Sequence, residues 1–129
     1  MKLKRILKFY FSAEKLNKSL DGTITRYALA SADYSVSAES CAEKICAVIE
    51  TKKAFSQLYD YINGIMCKFG ADEVKTLEYY ANLRGGILKL PEGARREIKR
   101  VLTKFSRKGR GIERFKEGLR AVDAYFAVL

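Results

Sequence analysis

The chain has 129 residues, 48% of them apolar and 31% charged, with a net charge of +10. That length and balance exclude a disordered chain and predict one domain, able to bury roughly two-thirds of its unfolded surface. It contains no histidine, which removes Ser-His-Asp and Cys-His nucleophile systems and histidine-based metal sites together, and its single proline favours long unbroken helices.

Leu3, Ile6, Leu7, Tyr10, Phe11, Leu16 and Leu20 fall on one apolar stripe and predict helix over residues 3–20, with Ser12 able to restart it as a cap. Asp21-Gly22 predicts a bend. Ile24, Tyr27, Ala28 and Leu29 predict a short helix ending in the Ser/Asp-rich stretch 31–37. A long helix is expected from about Ala38 to Phe69. Cys41, Ile45, Val48, Lys52, Phe55, Tyr59, Ile62, Met66 and Phe69 step by four and three along it, the spacing of a heptad seam that Lys52 alone interrupts. Ile49, Leu58 and Ile65 widen the stripe, which suits a bundle helix with several neighbours. A homodimeric seam is the other reading.

Gly70 is placed to end that helix and Asp72 to cap the next, over residues 73–84, which Gly85-Gly86 stops. Pro91 suits the first turn of a further helix running to about Lys108, with Glu92 at the positive end of its dipole. Gly109-Arg110-Gly111 breaks it. Ile112, Phe115, Leu119, Val122, Phe126 and Leu129 predict a last helix. No segment alternates with period two. The expectation is an all-α, single-domain bundle over residues 1–129, with five or six helices around the long helix 38–69.

Cys41, Cys46 and Cys67 are odd in number and lack the spacing of a zinc knuckle or a redox pair, so they are expected to be free and buried. Lys8 interrupts the N-terminal apolar run, and no small-residue cleavage site follows, so no signal peptide is expected. No stretch approaches the roughly 18 uncharged apolar residues of a membrane span. A cytoplasmic protein is expected.

The charge is segregated. Residues 84–120 hold thirteen basic and four acidic residues, a net +9, whereas residues 21–83 hold six basic and nine acidic, a net −3. On the helix from Pro91, Ile98, Val101, Leu102 and Phe105 share one face. Arg96, Arg100, Lys104 and Lys108 form a row on the other, with Arg95, Lys99 and Arg107 beside it. Only Glu92 and Glu97 dilute the row. Like charges four apart repel by a few tenths of a kcal/mol, so such a face points to an anionic partner or serves solubility. Arg107 to Gly111 is a basic turn whose backbone N–H groups can approach a phosphate. The expected nucleic-acid contacts are Arg95, Arg96, Lys99, Arg100, Lys104, Arg107, Lys108 and Arg110. Lys4, Arg5 and Lys8 are possible additions. Six neutralised phosphates would give a slope of about −5 in log affinity against log salt. No catalytic residue, metal ligand or cofactor is expected, and the chain is not expected to be an enzyme.

Ala71 to Leu83 (Ala-Asp-Glu-Val-Lys-Thr-Leu-Glu-Tyr-Tyr-Ala-Asn-Leu) resembles the opening helix of sigma-factor region-four domains. With the long helix before it, residues 40–110 look like the layout of small phage-type and sigma-like transcriptional regulators of Gram-positive bacteria. The resemblance implies that the helix from Pro91 stands where the DNA-facing helix does, with Arg95, Arg96, Lys99 and Arg100 outward. The chain departs from the pattern after Gly86, where Ile87-Leu88-Lys89-Leu90-Pro91 replaces the tight turn. The function expected is a nucleic-acid-binding regulatory or accessory protein, with duplex DNA as partner and a monomer or weak homodimer as its state. The alternative is a helical protein-interaction module, which would meet an acidic protein surface. A membrane-surface role for the N-terminal helix is set aside, because most of the excess charge lies in residues 84–120.

Overall fold

The computed structural model describes residues 3–32 and 37–128. It is all-α among these residues: α1 (Leu3–Phe11), α2 (Ala13–Ala32), α3 (Ala38–Met66), α4 (Ala71–Asn82), α5 (Glu92–Lys108) and α6 (Lys116–Val128), with 3₁₀ turns at Ile87–Lys89 and Arg110–Arg114. No helix among them is long and apolar enough to cross a membrane.

The break at Ser12 is real. Its N–H is shared between the carbonyls of Lys8 and Phe9, and its own carbonyl accepts from Leu16 N–H. The expected bend at Asp21-Gly22 is absent, and α2 continues to Ala32. One glycine inside a helix costs only about 1 kcal/mol. Against that, α2 packs along α3, where Lys44 lies over the Tyr27 ring and Asp21 accepts a 2.6 Å ion pair from Lys52. The expected loop at 31–37 lies outside the described residues at 33–36. Ser37 caps α3, its hydroxyl accepting from Ser40 N–H at 3.2 Å.

The long helix ends at Met66, three residues earlier than its apolar spacing predicts. Lys68 and Phe69 donate to the carbonyls of Ile65 and Met66, tightening the chain so that the Phe69 ring meets Phe105 at 6.2 Å. Gly70 does not end α3 but caps α4, and Asp72 is not the cap: the Glu73 carboxylate accepts the Gly70 N–H at 3.0 Å. Pro91 stands one residue before α5, at its cap. Ile112 and Phe115 belong to the 3₁₀ turn and its end, so α6 begins later than expected; Leu129 lies outside the described residues.

The core gathers Ile6, Leu7 and Phe9 of α1 with Phe55, Leu58 and Ile62 of α3, closed by Leu77, Val101, Phe105, Ile112 and Val122. The seam of α3 is therefore used inside the chain. Lys52 sits where its stem packs and its charge reaches water, as a lone cation in such a seam should. Gly118 sets the distance between α6 and α3, since a Cβ there would stand 3.0 Å from the Ala54 carbonyl oxygen and 3.1 Å from Leu58 Cβ. Beyond Leu16, no α2 residue is buried, and α3 before Phe55 buries only Cys41. The far parts of α2 and α3 thus form an arm whose helices face chiefly each other.

All three cysteines are free, but only Cys41 is buried; Cys46 and Cys67 are exposed, against expectation. Five residues past Cys41, Cys46 points roughly 140° away from it. In dilute solution a thiol reagent should therefore titrate two groups rapidly in the native state and the third only on denaturation. Three slow thiols, or three fast ones, would contradict this placement.

Candidate nucleic-acid interface

Helix α5 sorts its side chains as its sequence dictates. Ile98, Val101 and Phe105 are buried, and it packs on α4 and the following 3₁₀ turn. On the opposite side Arg96, Lys99, Arg100, Thr103, Lys104, Arg107 and Lys108 line a groove open to solvent. Thr103 gives the groove a small centre; its hydroxyl donates back to the Lys99 carbonyl at 2.8 Å. All the lining comes from one helix, so the surface suits an extended polyanion rather than an enclosed small molecule.

The cations of this face divide into two sets. Arg96 pairs with Glu92 at 2.6 Å, and Arg100 with Glu97 at 2.6 Å. Arg100 also meets Glu73 at 3.4 Å, and Lys104 meets Glu73 at 2.7 Å. Lys104 further lies over the Phe69 ring, 4.7 Å from its centroid. Lys99, Arg107 and Lys108 are exposed and make no ion pair among the described residues. Arg110, exposed on the next turn, makes none either. Arg95 does not line the groove; it is half-buried and its Nε is buried without a hydrogen-bond partner.

Glu73 is the residue that sequence reasoning missed. Its side chain is only 16% exposed. The hydrogen bond from Lys104 and then the Gly70 N–H hold its carboxyl at about 2, well below the ordinary 4.5. Arg100 likewise lowers Glu97, and Glu97 raises Arg100. The position of Glu73, three residues after Gly70, is half of a capping-box pattern, but nothing local shows that it also crosses to α5.

The N-terminal cations do not join the groove. Lys4 donates to the carbonyls of Leu83 and Gly85, at the negative end of α4, and lies over Tyr80. Arg5 meets Asp123 at 3.4 Å, and Lys8 lies over Phe126. The glycine turn packs inward. Gly109 is buried and donates to the Phe105 carbonyl at 2.8 Å, and a Cβ at Gly111 would run into the Tyr61 hydroxyl. These glycines let the chain close onto α3.

Fold and surface together define an all-α bundle with a cationic face on one helix. No protein-family model, curated protein or solved structure matches the chain.

Proposed function

We propose that the chain is a non-catalytic nucleic-acid-binding regulatory or accessory protein that contacts the phosphates of duplex DNA through α5. The observation that carries this reading is the set of exposed cations without carboxylate partners among the described residues, Lys99, Arg107 and Lys108, around one open groove. Cations that repel each other along one helix face lose that repulsion when phosphates are bound. The resemblance of residues 71–83 to the opening helix of sigma-factor region-four domains points the same way, with α5 in the DNA-facing position. A second reading, a protein-interaction module, draws on the three cations of the face already matched by Glu73, Glu92 and Glu97.

A salt titration by fluorescence anisotropy tests the proposal. With Lys99, Arg107, Lys108 and Arg110 as the phosphate contacts, log affinity should fall against log salt with a slope of about −4, shallower than the −5 expected from six contacts. Absence of binding at low salt to duplex DNA, single-stranded DNA and RNA alike would leave the interaction module as the better account.

A further inference from the structure

We propose that the arm formed by α2 and the first half of α3 is a self-association surface, on which a second copy of this chain docks antiparallel. On α3, Ala42 and Cys46 are exposed and Ile49 is 50% exposed, at helical spacing and roughly 80 to 140° round from the seam that meets α2. In an antiparallel helix pair the same flank of α2 carries Ile24, half-buried, and Ala28, exposed. Leu29 points about 140° from Ile24 and lies outside the strip. Nothing among the described residues covers this flank, because α6 meets α3 on the other side, where Gly118 touches Ala54 and Leu58. Small side chains let two such flanks approach closely.

The charges at the ends of the strip select the partner. Lys53 stands at one end and Glu39 at the other, and neither makes an ion pair among the described residues. Antiparallel pairing about the middle of Ala42 to Ile49 brings residue 53 of one copy opposite residue 38 or 39 of the other. Each Lys53 then meets a Glu39 across the twofold axis, once at each end. Parallel pairing would set lysine on lysine and glutamate on glutamate. The strip from Ala38 to Lys53 is about 22 Å long, and two helices give it about 20 Å of width, so a dimer buries about 900 Å2 in total. That is less than a stable dimer buries, so the association is weak and transient. The seam toward α2 stays internal, and the proposal is independent of the nucleic-acid reading.

The test is sedimentation equilibrium on the full chain from about 1 to 200 μM, with disulfide trapping beside it. A concentration-dependent dimer is expected. Ile49→Asp should abolish it while the chain stays helical and melts cooperatively, within a few degrees of wild type at low concentration. Glu39→Lys should weaken it about tenfold, by turning two attractive exposed pairs repulsive, and Glu39→Lys with Lys53→Glu should restore it. Mild oxidation should link Cys46 to Cys46 near the axis, a product lost in Cys46→Ser and kept in Cys67→Ser. A strictly monomeric chain at 200 μM leaves the strip to a different protein and overturns the proposal. So does a dimer indifferent to Ile49→Asp, one unweakened by Glu39→Lys, or one trapped through Cys67.

Discussion

Changing Lys99, Arg107 and Lys108 together to glutamate should reduce duplex DNA binding at low salt by at least about a hundredfold. The melting temperature should move by no more than a few degrees. All three are exposed and make no ion pair among the described residues, so nothing in the fold loses a partner when they change. Relieving like-charge repulsion on α5 works slightly in favour of the helix. Binding fails for a separate reason. Three of the four phosphate contacts disappear, and three new anions face the same phosphates across the groove. The matched control is Arg96→Glu. Arg96 already pairs with Glu92 at 2.6 Å and has no phosphate contact to lose, so this change should cost several-fold less than Arg107→Glu, the loss that is left coming from the new anion beside the groove. Anisotropy titrations on the four proteins decide the matter. A triple variant that binds like wild type removes the nucleic-acid reading. An Arg96→Glu loss as large as that of Arg107→Glu alone removes the division of the face into matched and unmatched cations.

That division marks where sequence reasoning stops. The amphipathic pattern of α5 is local: Ile98, Val101 and Phe105 repeat at helical spacing, and the basic rows opposite follow from the same geometry. The extent of α3, to within a turn at its end, is legible for the same reason, and the break at Ser12 from a serine able to restart the helix. Partnerships between distant residues are not. Glu73 lies 27 residues from Arg100 and 31 from Lys104, and only the packing of α4 on α5 brings them together. Lys4 meets the end of α4 across 79 residues. Gly22 is a local signal overruled by the packing of α2 on α3, and the helix continues through it. The exposure of Cys46 was within reach of the sequence, since the stripe that takes Cys41 and Ile45 leaves residue 46 on another face.

Glu73→Gln should move stability and DNA binding in opposite directions. The carboxylate accepts from Gly70 N–H at 3.0 Å and from Lys104 at 2.7 Å through one oxygen, and from Arg100 at 3.4 Å through the other. The amide keeps the shape and an acceptor for Gly70 but cannot match two cations, so the variant should melt lower at pH 7. The pH dependence has a definite sign. The folded value, about 2, lies below the ordinary 4.5, so the ionised group stabilises the fold above about pH 4.5. That contribution fades as pH falls and is gone near pH 2. The melting difference between wild type and Glu73→Gln should therefore be constant from pH 7 to about 5 and vanish towards pH 2. DNA binding should strengthen, because Lys104 loses its carboxylate partner and becomes available to phosphates, while Arg100 stays paired with Glu97 at 2.6 Å. The salt slope should steepen by about 0.9, the share of one further contact, and affinity at low salt should rise several-fold. A variant that loses affinity along with stability would mean that Glu73 holds the cationic face in its binding shape. The phosphate contacts would then have to include Arg100 and Lys104 as Glu73 positions them, and not the unmatched cations alone.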